Sequence, residues 1–212
     1  KYERIRPALN ILMDQAKEIM NSTYRYVDGE ERLYLSDDRY VKINLASSGQ
    51  QEVVWVFNLL FYYLSEDKKI FLIIEEPESH LFPKSQKYIT ELIALVNNCG
   101  HSIVLTTHSP YVLGTLNNLL YAKTISPQAR KEANKIIRES LWLDYNAFDS
   151  WFVKNGTIEN CMDADIHMIQ NEKIDEISKV INEDFERLLE MKKNNRKTHS
   201  KSIEKSIVKS YD

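Results

Sequence analysis

Two adjacent carboxylates follow an unbroken apolar run near the middle of the chain. The residues from Ile70 to Ile74 are all apolar, and Glu75 and Glu76 come directly after them. Such a run is typical of a strand that is buried on both faces, as in a parallel sheet covered by helices. Open α/β sheets place their ligands at the carboxyl ends of their strands. Two acids there suit a magnesium ion and an attacking water, so the stretch predicts a Mg2+-nucleotide site.

Two further stretches contain residue types that can bind phosphate. The first consists of Ser47, Ser48, Gly49 and Gln50, directly before a helical pattern. Backbone N–H groups at a helix N-terminus, with a serine hydroxyl nearby, form an anion site. In the second, His108 follows another short apolar run, where an imidazole can reach a terminal phosphate oxygen. The alternatives are an ordinary Ser-Gly cap and a structural histidine.

In order and spacing, the three stretches resemble motifs of the ABC-type ATPase heads. Residues 45–51 resemble the signature loop, residues 70–76 the Walker B strand and residues 106–110 the switch-histidine loop. The motif Glu-Glu-Pro-Glu-x-His-Leu-x-Pro, which starts at Glu75, most resembles the corresponding motif of the SMC/OLD-like, AAA-21 branch. That branch includes ATPases of bacterial anti-phage systems. The resemblance implies a P-loop NTPase-like α/β fold that uses ATP and Mg2+.

The resemblance also implies a role for each matching residue. Glu76 corresponds to the catalytic glutamate, Glu75 to the magnesium-side acid and His108 to the sensor of the γ-phosphate. Residues 47–50 correspond to the loop that binds the γ-phosphate of ATP held by a second head. The D-loop, which crosses the dimer interface, corresponds to Glu78, Ser79, His80 and Leu81. For His80, a metal-ligand role is the less favoured alternative.

One expected motif is missing from the sequence. None of the five glycines is followed by lysine, so no G-x-x-x-x-G-K-[ST] phosphate loop occurs. In the resembling family this loop lies upstream, in the first half of the head. The likeness therefore covers the C-terminal portion of a head, and we expect this chain alone to bind ATP poorly and to be inactive.

Composition sets broad limits on the class of protein. The chain has 212 residues, 43% of them hydrophobic, and a net charge of −3, which does not call for nucleic acid or an anionic membrane. Its two cysteines show no metal-ligand spacing, which favours a reducing, cytoplasmic compartment. The longest apolar run, residues 53–64, is too short to span a bilayer.

Periodicity predicts the elements that position these motifs. We expect a helix over residues 1–22, the head portion over residues 23–191 and a basic, mobile tail over residues 192–212. The predicted fold is α/β, with a mostly parallel sheet core covered by helices and small antiparallel hairpins. The expected elements are a helix over 4–21, hairpins around Asp28-Gly29 and Asn155-Gly156, a helix over 53–64 buried nearly all round, helices starting at Pro83, Pro110 and Pro127, and a last helix carrying Ile174 to Leu189.

The first functional hypothesis is a dimerising ATPase head that controls an effector protein, in anti-phage defence or DNA-associated work. The alternative is a non-hydrolysing scaffold that assembles with an effector. A nucleic-acid-binding module, using the basic tail, is a third hypothesis that the acidic balance disfavours. Asp163 and Asp165 lack the acid pattern of a nuclease, so we expect no nuclease activity.

Overall fold

The computed structural model describes residues 2–66, 69–170 and 179–191, and it divides the chain into two compact units, Lys1–Asn171 and Glu172–Asp212. The helices of the first unit are α1 (Tyr2–Met20), α2 (Ser48–Ser65), α3 (Pro83–Asn98), α4 (Pro110–Thr124) and α5 (Arg130–Ile136). Its strands are β1 (Thr23–Val27), β2 (Glu30–Ser36), β3 (Arg39–Lys42), β4 (Phe71–Glu75), β5 (Ser102–Thr106), β6 (Trp151–Lys154), β7 (Thr157–Asn160), β8 (Met162–Asp163) and β9 (Met168–Ile169).

In the second unit, residues 179–191 are helical. This agrees with the later part of the helix predicted to carry Ile174 to Leu189. The start of that helix and the predicted basic tail, residues 192–212, lie outside the described residues.

The core of the first unit lies among its long helices. α1 packs against α2 and α3, and α3 packs against α4. Leu9, Leu12 and Ala16 of α1 are buried at the helical spacing expected from the sequence, which confirms the predicted first helix. On α3, buried Glu91 accepts a hydrogen bond from Gln15 of α1 at 2.6 Å, so a polar contact accompanies the apolar packing.

A three-stranded antiparallel sheet connects α1 to α2. Its strand order is β1-β2-β3, and the turn between β1 and β2 has Asp28 at φ 52° and Gly29 at φ 79°. Two successive positive φ values are the requirement of a type I′ turn, for which Asp-Gly is a preferred pair. The predicted hairpin is confirmed, and β3 leads through a short 3-10 turn, Ile43–Leu45, to the start of α2.

The two strands that precede the motif loops, β4 and β5, pair in parallel. Phe71 lies opposite Ser102 at one end of the pairing, and Glu75 lies opposite Thr106 at the other. Both strands therefore release the chain at the same end, where the loops that follow them are neighbours. Among the described residues, this pair makes up the whole of the parallel sheet.

The expectation that this sheet is covered on both faces is wrong for the described chain. On one face, Phe71 is 64% exposed, Ile73 is 65% exposed and Val104 is 46% exposed. Alternate residues, such as Leu72 and Leu105, are half-buried on the other face. The apolar composition predicted a buried strand, but the described helices cover only one side of it.

The expectation that α2 is buried nearly all round is also wrong. Val53 and Leu60 are buried, whereas Trp55 is 72% exposed and Tyr62 is 55% exposed. Trp55 and Tyr62 are seven residues apart, which places them on one side of the helix. Helix α2 is therefore apolar nearly all round, but only one of its sides packs against the rest of the chain.

The segment after α4 differs in part from its prediction. The helix expected to start at Pro127 begins later, because α5 covers only Arg130–Ile136, and a 3-10 turn, Glu139–Leu141, follows it. The hairpin around Asn155-Gly156 is confirmed by the antiparallel pairing of β6 with β7. None of the described helices is long and apolar enough to cross a lipid bilayer.

Two neighbouring leucines of α2 provide a matched test of the packing. Leu60 is fully buried, so Leu60→Ala should lower the free energy of unfolding by about 2 to 5 kcal/mol. Leu59 is 42% exposed, and Leu59→Ala should cost less than about 1 kcal/mol. Urea denaturation of the 212-residue chain measures both, and equal costs would contradict the packing described for α2.

His101, which precedes β5, gives the fold a dependence on acid. Burial lowers the pKa of His101 from its ordinary value of 6.5, so the folded chain binds fewer protons there than the unfolded chain. The free energy of unfolding should therefore fall as the pH drops through and below that value. His101→Gln should make this dependence shallower, which urea denaturation between pH 7.5 and pH 5 would show. An unchanged slope would mean that other groups cause the dependence.

Candidate functional site

The loops after β4 and β5 bring together residues that are far apart in the sequence. We call residues 76–82 the carboxylate loop and residues 107–109 the histidine loop. Because β4 and β5 are parallel and in register, the two loops leave the sheet side by side. The Glu76 N–H continues the strand pairing by donating to the Thr106 carbonyl oxygen at 3.0 Å. The sheet thus positions Glu76 against the histidine loop.

The side chains of Glu76 and His108 contact each other. His108 Nδ1 lies 3.3 Å from Glu76 Oε1, and the two side chains are 75% and 50% exposed, in the order His108, Glu76. The Ser79 hydroxyl donates to Glu76 Oε2 at 3.3 Å. Solvent-exposed ion pairs contribute about 0 to 1 kcal/mol, so this contact is too weak to explain the arrangement as a stabilising device. Both groups are accessible to a ligand.

Glu76 also has an unusual backbone conformation. Its φ is 42°, a positive value that costs a non-glycine residue about 1 to 3 kcal/mol. His80, four residues later, has φ 59°. Strained residues of this kind are concentrated at functional sites. Sharp turns at both positions let the carboxylate loop fold back on itself, with the Ser79 N–H donating to the Glu76 carbonyl oxygen at 2.9 Å.

Glu78 lies in an environment unlike that of its neighbours. The residue is only 3% exposed, and its Oε1 accepts hydrogen bonds from the Thr107 hydroxyl at 2.5 Å and the His108 N–H at 3.3 Å. The resemblance to ABC-type heads implies that Glu78 belongs to the D-loop, at an interface with a second head. Its side chain instead faces the interior of its own chain and connects the carboxylate loop to the histidine loop.

The start of α2 is stabilised by its own side chains. Ser47 Oγ accepts the Gln50 N–H at 3.3 Å, and Gln50 Oε1 accepts the Ser47 N–H at 3.2 Å, which together form a capping box. Gln50 Nε2 also donates to the Met20 carbonyl oxygen at 2.9 Å. The Gln50 side chain therefore holds the helix start in place, while Ser47 and Ser48 are exposed.

Gly49 connects the start of α2 to the carboxylate loop. A Cβ atom at this position would lie 2.5 Å from the His80 carbonyl oxygen, closer than Cβ atoms approach a backbone oxygen in real proteins. His80 Nε2 lies 3.8 Å from Glu52 Oε1, one turn further along α2. The structure thus places the predicted signature loop against the predicted D-loop within one chain.

Glu75 lies at the end of β4, with its side chain exposed. Within the described residues, no group of three or more His, Cys, Asp or Glu side chains could hold a metal ion. A magnesium ion on a nucleotide does not need one, because it is held by one or two carboxylates together with phosphate oxygens and water. The donor set around Glu75 therefore fits a nucleotide-bound magnesium ion and does not fit a metal held by protein alone.

Sequence reasoning missed the polar residues that support this arrangement. Thr107 and Ser109 appear in the sequence analysis only within residues 106–110, and Gln86 has no predicted role there. Ser109 Oγ donates to Gln86 Oε1 at 2.5 Å and accepts the first N–H groups of α4 as its N-cap. A threonine before the histidine and a serine before a proline are the only signals in the sequence for these contacts.

The close approach of Gly49 to His80 predicts the effect of a single methyl group. Gly49→Ala should destabilise the chain by about 1 to 3 kcal/mol, because the new Cβ has no room beside the backbone. Gly114→Ala is the matched control, since Gly114 lies within α4 with no atom within 4 Å of its added Cβ. That change should stabilise the chain by about 0.5 to 1 kcal/mol. Thermal and urea unfolding distinguish the two, and a neutral Gly49→Ala would contradict the close contact.

Two comparisons with known proteins give a short match and a weak one. An uncharacterized protein of Methanocaldococcus jannaschii is 24% identical over 82 residues, which are 39% of this chain and 10% of that protein. The chain thus spans about a tenth of the length of this curated relative. The chain is also similar to a solved structure from work on the "structural biochemistry of ATP-driven dimerization and DNA stimulated activation of SMC ATPases". The two chains are 11% identical with a TM-score of 0.45, and the match covers 86% of this chain and 98% of that one. That likeness is too weak to carry an argument.

The family itself is shown by a longer match. Residues 1–113 match the family model described as AAA ATPase domain, and this region contains α1 to α3, both motif loops and the start of α4. Since the match covers more than half of its length, the chain belongs to the AAA ATPase domain family.

Proposed function

We propose that this chain carries the catalytic glutamate of a Mg2+-dependent ATPase head, and that ATP is hydrolysed between this head and a second one. Membership of the AAA ATPase domain family supports ATP as the nucleotide. The observation that carries the proposal is the 3.3 Å contact between His108 Nδ1 and Glu76 Oε1 at the carboxyl ends of two parallel strands. An acid and an imidazole at that position are suited to phosphoryl transfer to water.

Glu76 acts on the attacking water. Its carboxylate is half exposed, so a water molecule can approach it, and one of its oxygens is already oriented by the Ser79 hydroxyl. The other oxygen is free to orient the water and accept its proton once the contact with His108 is given up. The exposed contact is weak, so little free energy opposes this exchange.

His108 acts on the terminal phosphate. With nucleotide present, its imidazole donates a hydrogen bond to a γ-phosphate oxygen in place of its contact with Glu76. The backbone of the histidine loop stays fixed by the Glu78 carboxylate, so only the side chain has to turn. His108 thereby reports whether the γ-phosphate is present.

Glu75 would hold the magnesium ion. Bound Mg2+ supplies positive charge that neutralises the phosphate oxygens during transfer. Glu75 contributes one carboxylate at the strand end, next in sequence to Glu76. Its side chain lies on the exposed face of the β4–β5 pair, so it is open to a ligand approaching from that side.

A second head completes the site in this proposal. Ser47 and Ser48 are exposed at the start of α2, where the helix dipole favours an anion such as the γ-phosphate held by a partner. Gln50 contributes by holding this helix start in place. Ser79, His80 and Leu81 of the carboxylate loop would contact the second head. The phosphate loop that this sequence lacks would be supplied by a segment outside residues 1–212.

The proposal extends to a cellular role through resemblance alone. The motif from Glu75 to Pro83 resembles that of the AAA-21/OLD-like branch, and this resemblance supports control of an effector protein. Anti-phage defence and DNA-associated work are the settings that this branch suggests. The cycle of pairing and separation of heads would then be the output that the effector reads.

The test is ATP turnover by the full-length protein that contains this chain. Glu76→Gln should lower kcat by about a hundredfold to ten-thousandfold, because the amide cannot accept the proton of the attacking water. ATP binding should persist, since the amide keeps the size of the carboxylate. Phosphate release at saturating Mg-ATP measures kcat, and equilibrium binding of a labelled nucleotide measures affinity.

The matched control is Glu132→Gln, the same change on α5 at an exposed residue whose side chain pairs with Lys135. It should leave kcat within about twofold of wild type, as expected for an exposed surface substitution. If wild type and Glu76→Gln turn over ATP equally slowly, the hydrolysis proposal fails and the protein is a scaffold that assembles with its effector.

A further inference from the structure

We propose that Glu78 is a positioning residue, whose buried carboxylate holds the histidine loop so that His108 faces Glu76. The proposal rests on the proposed function, since it explains how the backbone of the histidine loop is held while the His108 side chain turns from Glu76 to the phosphate. It differs from the interface role that the sequence suggested for Glu78.

The anchor consists of hydrogen bonds to one carboxylate oxygen. Glu78 Oε1 accepts from the Thr107 hydroxyl at 2.5 Å and from the His108 N–H at 3.3 Å. The second oxygen, Oε2, is buried and has no hydrogen-bond partner among the described residues. Glu78 therefore depends on the histidine loop for its hydrogen bonds, and the loop depends on Glu78 to satisfy the His108 N–H.

The side chains of the exposed pair cannot fix their own geometry. An exposed ion pair contributes too little to hold two side chains in one orientation. Hydrogen bonds to a charged group contribute more than this, and more still is lost when a buried partner is left unsatisfied. His108 is therefore held through its backbone N–H, which donates to Glu78. Glu78 lies two residues after Glu76 on the carboxylate loop.

A second set of contacts extends the anchor to α3 and α4. The Ser109 N–H donates to Thr107 Oγ1 at 3.0 Å, so this hydroxyl both donates and accepts. Ser109 Oγ donates to Gln86 on α3, and Gln86 Nε2 donates to the Leu81 carbonyl oxygen at 2.9 Å. These hydrogen bonds connect the histidine loop to the carboxylate loop both at Glu78 and, through Gln86, at Leu81. They therefore hold the carboxylate loop at two points relative to His108.

The presence of a buried carboxylate supports a role beyond stability. A well-packed apolar residue at such a position is often neutral or stabilising, since burying a charge is costly. Glu78 is more than nine-tenths buried with one oxygen unpartnered among the described residues, so stability alone does not explain it. What the carboxylate provides is a fixed place for the Thr107 hydroxyl and the His108 N–H.

The experiment removes the anchor from the side of the histidine loop. Thr107→Val keeps the shape of the side chain and removes the hydroxyl, and Thr107→Ser restores it. Thr115→Val is the control, because it removes another mostly buried threonine hydroxyl whose bond stays within α4. Glu78→Ala is a second route to the same loss, should Thr107→Val fail to fold.

Two measurements are made on the full-length protein. Without nucleotide, hydrogen–deuterium exchange of a peptide covering residues 105–113 should rise in Thr107→Val by about two amides, those of His108 and Ser109. With Mg-ATP, kcat should fall about tenfold to a hundredfold while KM stays within about threefold, the result of misplacing a reacting group. Thr107→Ser should return both values close to wild type, and Thr115→Val should move neither.

The outcomes test the Glu78 anchor, its positioning role and the proposed function separately. Unchanged exchange over residues 105–113 in Thr107→Val overturns the anchor. Raised exchange with unchanged kcat overturns the positioning role, since the loop would be held without consequence for the reaction. Raised exchange in a protein whose wild type hydrolyses no ATP supports the anchor and rejects the proposed function.

Discussion

In the parallel pairing of β4 with β5, Glu75 lies opposite Thr106, so both strands end at the same level of the sheet. The contacts between the carboxylate loop and the histidine loop depend on this register. A shift by one residue would turn the exposed residues of a strand to its half-buried face and separate the loops that follow. Helices α3 and α4 begin directly after these loops.

The carboxylate loop holds two acids in opposite environments. Glu76 is half exposed and contacts an exposed imidazole, whereas Glu78 is buried and bonds to a hydroxyl and a backbone N–H. Accessibility suits a group that must reach a ligand, and burial suits a group that must not move. The strained backbone of Glu76 contributes to this difference. The turn at Glu76 lets two acids that are only two residues apart face different surroundings.

Much of this arrangement could be predicted from the sequence, because it depends on local pattern. Helical spacing predicted α1, Asp-Gly and Asn-Gly pairs predicted two hairpins, and the apolar runs before Glu76 and His108 predicted β4 and β5. The contact of Gln50 with the Met20 carbonyl oxygen joins residues 30 positions apart, which no spacing rule encodes. The burial of Glu78 depends on which way a strained loop turns, and a run of glutamates does not specify that direction.

The uncovered face of the β4–β5 pair has a consequence for work at the bench. Phe71, Ile73 and Val104 present an apolar surface on a short sheet whose outer edges have no strand partner among the described residues. Such surfaces recruit strands from other molecules, which leads to self-association and precipitation. Expression of these 212 residues on their own therefore calls for low concentration or a solubilising fusion.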